Sequence, residues 1–181
     1  MSNINCQFIV YACPVGELNE QIENYLQKSQ ELCGENKAHK YMPHCTLTGF
    51  FTDDVSSIDY YLEALDKAYL AAQDDLDLSI AIKQLNFSDR WHGLELQAEG
   101  LKKLIINFSK LERSPTRQEN LRLKDWLHLS LAYGFNPEDR EQLKNLAIDA
   151  IAIEANVSWE LRFYQKNSDW TWQQLGQWKI S

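Results

Sequence analysis

The sequence predicts an α+β fold of two similar lobes that face each other across a shared cleft. Strand-like and helix-like patterns of apolar residues follow one another twice in the same order: strand, helix, strand, helix, strand. A strand-like stretch in each half carries a histidine followed two positions later by a hydroxyl residue, at His44 and again 84 residues later at His128. We therefore expect residues 1–181 to form a single domain of two interleaved lobes.

The first half contains five predicted elements. Gly34 is a plausible stop for the first helix, and Ser56 with Asp59 resembles a capping box that opens the second. Alternating apolar residues predict the strands. In order, the elements are a strand at 7–13, a helix at 17–33, a strand at 43–51, a helix from Ser56, and a strand at 76–87.

The second half repeats this order. Asn136 as a cap and Pro137 at the first helical position predict the start of its second helix. Polar loops at 35–42 and 112–125 lead into the two histidine strands. The predicted elements are a strand at 91–98, a helix at 101–111, a strand at 127–135, a helix from Pro137, a strand at 159–163 and at least one more within 170–180.

Each histidine strand has one polar face and one apolar face, because residues two apart in a strand share a face. His44 and Thr46 share the polar face of the first strand, and His128 and Ser130 share that of the second. Thr48 is left out of the predicted site, because the second strand has an alanine at the matching position.

Two histidines, each with a hydroxyl beside it, suit the metal-free hydrolysis of a phosphodiester. One group must take a proton from water and another must give a proton to the leaving oxygen, and histidine can do either near neutral pH. A hydroxyl can donate a hydrogen bond to a non-bridging phosphate oxygen. We therefore predict that His44 and His128 are catalytic and that Thr46 and Ser130 bind the substrate phosphate.

The motifs resemble the 2H phosphoesterase superfamily (LigT-like), and within it the phosphoesterase domain of the TULA (T-cell ubiquitin ligand) proteins. The resemblance rests on Pro43–Leu47 with Phe50 and Phe51, Tyr61–Leu65, Leu127–Ala132 and Trp159–Leu161. It implies two lobes, each an antiparallel sheet flanked by helices, around a central cleft. It also implies metal-independent hydrolysis of cyclic nucleotide phosphates, typically 2′,3′-cyclic ones, and transfers the histidine and hydroxyl roles to the four residues above. A 3′-phosphate product would match the TULA-like members.

The charge of the chain bears on its partners. A net charge of −8 argues against binding long DNA, because such binding depends on neutralising many phosphates. The two loops before the histidine strands are nevertheless basic, and they form either a rim for a phosphate or ordinary solvated loops. Aromatic side chains at Tyr11, Trp91, Trp126 and Tyr133 either stack on a base or pack in the core. The six basic loop residues are Lys37, Lys40, Arg113, Arg117, Arg122 and Lys124.

Other features predict a cytoplasmic monomer that needs no cofactor. Residues 1–5 lack the pattern of a signal peptide, no apolar run is long enough for a membrane span, and the four cysteines are scattered. A metal site is not expected, because Cys45 faces away from His44. His39 and His92 are expected in loops or turns, exposed or locally bonded.

The predicted function is hydrolysis of 2′,3′-cyclic phosphates of nucleotides or short RNA 3′-ends. One alternative is a binding module that recognises such a nucleotide without turning it over. Another is repair or ligation of RNA ends. The sequence leaves open the base, the length of the substrate, the regiochemistry of the product, and which histidine is the base.

Overall fold

The computed structural model describes residues 5–180. Residues 1–4, which carry most of the signal-peptide prediction, lie outside this range. The strands are β1 (Asn5–Val15), β2 (Cys45–Thr46), β3 (Phe51–Asp54), β4 (Ala81–Phe87), β5 (Trp91–Gln97), β6 (His128–Tyr133), β7 (Ser158–Lys166) and β8 (Trp172–Lys179). The helices are α1 (Glu17–Cys33), α2 (Ile58–Asp75), α3 (Glu99–Leu111) and α4 (Arg140–Ala150).

The eight strands form one antiparallel sheet. Its order is β4-β5-β6-β2-β1-β7-β8, and β3 pairs with β1 beyond the end of β2. The longest pairing joins β1 to β7, from Gln7 opposite Lys166 to Val15 opposite Ser158. The α+β class is confirmed. The division into two lobes stays a prediction, because all eight strands belong to one sheet, whose two halves are joined where β2 pairs with β6.

The two faces of the sheet pack against different groups of residues. On β1, Phe8, Val10 and Ala12 belong to the main apolar core, which also contains buried residues of all four helices. The alternate residues Ile9 and Tyr11 belong to a small second cluster on the opposite face. This alternation follows from the two-residue period of a strand. The helices therefore cover one face, and the other face is left for a cleft.

The predicted strand at 43–51 is interrupted between β2 and β3. The backbone N–H groups of Leu47 and Thr48 both donate to the carbonyl of Val10, at 3.0 and 3.4 Å. The Thr48 hydroxyl in turn accepts the N–H of Val10 at 3.1 Å. Leu123 pairs with Thr48 on the other side. A buried side-chain hydrogen bond thus replaces a ladder bond, which is why regular pairing stops here.

Several element starts differ from the prediction. The helix at α2 is preceded by a 3₁₀ turn whose cap is Asp54, which accepts the N–H of Ser56 at 2.9 Å, so the predicted Ser56 capping box is wrong. Pro137 begins a 3₁₀ turn before α4, with no side-chain bond from Asn136. Among residues 5–180, no helix is both long and apolar enough to span a bilayer.

Candidate active site

A cleft of about 370 Å³ opens on the face of the sheet that carries Ile9 and Tyr11. The four residues predicted as the site, His44, Thr46, His128 and Ser130, all line this cleft. They come from β2, the residue before it, and β6, which are neighbouring strands at the junction of the two halves of the sheet. The topology therefore brings the two histidine motifs together.

The register of this strand pair arranges the motifs reciprocally. Cys45 lies opposite Leu129 in the antiparallel pair of β2 and β6. Extending this register by one residue in each direction sets Thr46 opposite His128 and His44 opposite Ser130. Directly opposite residues have Cβ atoms about 5 Å apart, and diagonal ones about 7 Å. The histidines are a diagonal pair. Both histidines line the same cleft.

The imidazole ring of His44 is held by a backbone carbonyl two residues earlier in the chain. Its Nδ1–H donates to the carbonyl of Met42 at 2.7 Å; because a carbonyl can only accept, Nδ1 carries the hydrogen and Nε2 is left for the cleft. The rings of Tyr11 and Tyr41 lie 4.0 and 5.3 Å away, centroid to centroid. Burial lowers the pKa of His44 to about 4, and the charge of His128 contributes to this lowering.

His128 has the same local geometry. Its Nδ1–H donates to the carbonyl of Trp126, again two residues earlier, at 3.3 Å. The half-exposed Trp126 ring stacks on the imidazole at 3.9 Å, and Trp91 meets it edge-on at 5.2 Å. Burial lowers the pKa of His128, and the positive charge of Lys124 lowers it further. Both histidines therefore present Nε2 to the cleft.

Trp91, which the sequence offered only as a base-stacking or core residue, lines the cleft beside Ser130. Its indole Nε1–H donates to the Ser130 hydroxyl at 2.8 Å. Indole nitrogen can only donate, so the Ser130 oxygen accepts and its own hydrogen remains available to another acceptor. The signal in the sequence is Gly93, two residues further along the same strand. A Cβ there would collide with the Trp91 ring and with the carbonyl of Leu129, so only glycine leaves the indole its place.

The threonines of the first motif have different positions. Thr46 pairs with Tyr11 of β1 and lines the cleft. Thr48 is fully buried and bonded to the backbone of β1, which agrees with its omission from the predicted site. The phosphate-binding roles of Thr46 and Ser130 stay predictions.

Two of the six basic loop residues, Arg122 and Lys124, line the cleft. The other four are not among the residues that line it. Lys37 packs its stem against Gly134, Lys40 lies over the Trp170 ring, Arg113 donates to the carbonyl of Glu112, and Arg117 forms an ion pair with the Glu112 carboxylate.

The two remaining histidines lie outside the cleft. His39 is locally bonded: its Nδ1 accepts the N–H of Asn36 at 2.9 Å, and its Nε2 contacts the carbonyl of Leu26 at 2.9 Å. The loop prediction for His92 is wrong, because His92 is fully buried on β5 between Phe87 and Phe135. The turn between β4 and β5 is closed by the Ser88 N–H, which donates to the Trp91 carbonyl at 2.8 Å. His92 therefore follows the turn and pairs with Phe87 on the sheet. Within residues 5–180, no group of His, Cys, Asp or Glu is arranged to hold a metal ion.

No family model matches the chain. Among curated proteins it is similar to ubiquitin-associated and SH3 domain-containing protein B of Homo sapiens, a TULA protein, with 29% identity over 164 residues, or 89% of this chain and 25% of the relative. It is also similar to ecdysteroid-phosphate phosphatase of Bombyx mori, with 32% identity over 166 residues, or 89% of this chain and 24% of the relative. The chain thus spans about a quarter of the length of the curated relatives it matches.

Among solved structures, the chain is similar to Escherichia coli LigT. The apo form gives a TM-score of 0.51 at 16% identity, and the complex with ATP gives 0.50 at 17%. Both comparisons cover 98% of this chain and 99% of the LigT chain. At this identity the likeness concerns the fold. The chain therefore has a LigT-like fold and is similar in sequence to a TULA protein, which confirms the resemblance predicted from its sequence segments.

Proposed function

We propose that the chain is a metal-independent phosphodiesterase that hydrolyses 2′,3′-cyclic phosphates of nucleotides or short RNA ends by paired-histidine acid/base catalysis. One observation carries the proposal. His44 and His128 each donate Nδ1–H to the carbonyl two residues earlier, so two Nε2 atoms are left for one cleft. A binding module has no chemical need for two oriented proton-transfer groups.

The proposed reaction uses one histidine on each side of the phosphorus. Nε2 of neutral His44 takes a proton from water as the water oxygen bonds to phosphorus. Nε2–H of protonated His128 gives a proton to the ribose oxygen as its bond to phosphorus breaks. The product is a phosphomonoester with a free neighbouring hydroxyl, and both histidines regain their starting states by proton exchange with solvent. His44 is assigned as base because its environment opposes protonation strongly.

The two hydroxyls would act on the non-bridging phosphate oxygens. Ser130 accepts from Trp91 and so has its hydrogen free for donation, while Thr46 lies opposite His128 by register. Donors fixed before the reaction cost little reorganisation when charge builds on the phosphate. The same step would run without a cofactor.

The test is turnover of a substrate panel with EDTA present. The panel contains 2′,3′-cyclic and 3′,5′-cyclic nucleotides, a cyclic-phosphate-ended oligoribonucleotide, and a steroid phosphate as the monoester arm. We expect hydrolysis of the 2′,3′-cyclic substrates, and a loss of 10²- to 10⁴-fold in kcat in His44→Ala and in His128→Ala, the range for removing a general acid or base. His39→Gln, which alters a histidine outside the cleft, is the matched control.

Each other outcome has a defined meaning. Binding of 2′,3′-cyclic nucleotides without turnover would favour the recognition module. Joining of RNA ends instead of hydrolysis would favour repair. Turnover of the monoester alone, or activity that survives both histidine substitutions, would overturn the assigned reaction and site.

A further inference from the structure

We infer that Arg122 and Lys124 form a second anion subsite in the cleft, which binds a phosphate other than the one that is hydrolysed. This inference rests on the proposed function and specifies its substrate class. The substrate would carry a second phosphate, either a 5′-phosphomonoester on the cyclised nucleoside or the phosphodiester that links it to a preceding nucleotide.

The backbone of residues 121–124 is fixed against the first histidine strand. The N–H of Gly49 donates to the carbonyl of Arg122 at 2.7 Å, and the N–H of Lys124 donates to the carbonyl of Leu47 at 3.0 Å. Between these bonds, Leu123 pairs with Thr48. The segment therefore lies as a short added strand beside the break between β2 and β3.

Alternation along this added strand directs the two cations to the same side. Leu121 and Leu123 pack against the main core. Arg122 and Lys124, at the alternate positions, both line the cleft that contains His44. The apolar residues thus hold the segment while the basic ones face the substrate.

These two cations differ in their ion pairing from another basic residue of the same loop. Over residues 5–180, neither Arg122 nor Lys124 forms an ion pair with a carboxylate, whereas Arg117 in the same loop is paired with Glu112. In a chain with a net charge of −8, two unpaired cations lining one cleft form a local site for an anion.

The two cations have different positions relative to the histidines. Lys124 is close enough to His128 for its charge to lower the pKa of that ring. Arg122 is held farther along the strand, where its Nη2 donates to the carbonyl of Phe50 at 3.1 Å and its guanidinium lies over Gly49. A side chain at Gly49 would meet the guanidinium, with its Cβ 3.2 Å from Nε. We therefore assign Arg122 as the main contact of the second phosphate, since its planar fork suits bidentate binding.

The experiment compares kcat/KM for three substrates. They are a nucleoside 2′,3′-cyclic phosphate with a 5′-hydroxyl, the same compound with a 5′-phosphate, and a dinucleotide that ends in the cyclic phosphate. We expect the parent protein to prefer a substrate with a second phosphate. Arg122→Gln should reduce this preference, the ratio of the kcat/KM values, about tenfold, as expected for about 1.4 kcal/mol of lost contact.

The ratio separates the subsite from general damage to the enzyme, because misfolding lowers both terms equally. Lys83→Gln, which removes an exposed charge on β4, is the matched control and should leave the ratio unchanged. A preference for the 5′-phosphate identifies a monoester at the subsite, and a preference for the dinucleotide identifies a phosphodiester. An unchanged ratio in Arg122→Gln would overturn the subsite.

A binding measurement keeps the two proposals distinguishable if the parent shows no turnover. Calorimetry would then compare a nucleoside 3′,5′-bisphosphate with the 3′-monophosphate. Tighter binding of the bisphosphate that Arg122→Gln removes would support the subsite although the proposed reaction had failed. Equal affinities in the parent would refute it.

Discussion

Replacing Trp91 by phenylalanine tests whether the indole N–H positions the Ser130 hydroxyl. The substitution removes the donor of the 2.8 Å bond and leaves an aromatic ring near His128, which Trp91 meets edge-on at 5.2 Å. A typical hydrogen bond contributes about 0.5–1.5 kcal/mol. If this energy is needed to hold Ser130 for the transition state, kcat should fall by about two- to tenfold.

The assay is a double-mutant cycle on kcat with a 2′,3′-cyclic nucleotide. Trp91→Phe is measured in the parent protein and again in a Ser130→Ala background. If Trp91 acts through Ser130, its substitution should change kcat less than about twofold once the hydroxyl is absent, because coupled residues are non-additive.

The same loss in both backgrounds would refute the reasoning, since it would mean that Trp91 acts without Ser130. The free energy of unfolding, measured by urea for all four proteins, is the control. This measurement separates the effect of the lost hydrogen bond from a loss of stability caused by the smaller ring. The smaller ring could pack less well against Trp126, whose ring centroid lies 5.1 Å from that of Trp91.

Three further predictions concern pH and stability. The pH profile of kcat/KM reports the ionisations of the free enzyme, and it should peak between about pH 4 and pH 6.5. Below about pH 4 the base His44 is protonated, and the acid His128 loses its proton below pH 6.5 because its pKa is lowered from that value. A peak above pH 7 would contradict these roles. Gly93→Ala should lower the free energy of unfolding by about 1–3 kcal/mol in urea melts, because the new Cβ collides with the neighbouring strand; a change below about 0.5 kcal/mol would contradict the packing. Thr48→Val should cost about 1–3 kcal/mol because it leaves the buried N–H of Val10 without an acceptor, and Thr48→Ser, which keeps the bond, should cost less.

The strong periodic patterns were sufficient to predict most elements and the membership of the cleft. The apolar stripe at 17–33 corresponds to α1 at Glu17–Cys33, and the alternation at 91–98 corresponds to β5 at Trp91–Gln97. The polar faces of the histidine strands were predictable because a strand reverses its side chains at every residue. The repeat predicted that the two motifs face one cleft, whereas the pairing of β2 with β6 in one sheet was not predicted.

The features that the sequence did not reveal depend on contacts between distant residues. The break after β2 arises from the Thr48 hydroxyl and the backbone of Val10, 38 residues apart. The position of the other four loop cations away from the cleft lining likewise depends on where those loops lie. His92 was misplaced because a single polar residue near a turn is assigned to the turn by its chemistry, whereas here the pairing of β5 buries it.

The order of strands in the sheet has a consequence for how the protein folds. The half with His128 is built from residues 81–133 in sequence, through β4, β5 and β6, whereas the half with His44 needs β1 to pair with β7 about 150 residues away. Contacts between distant residues form late, because closing a long loop costs entropy before the contact stabilises anything. We therefore expect His44 to reach its place last. Pulse-labelled amide exchange during refolding would show β5 protected before β1, and catalytic competence would appear only with the second of these events.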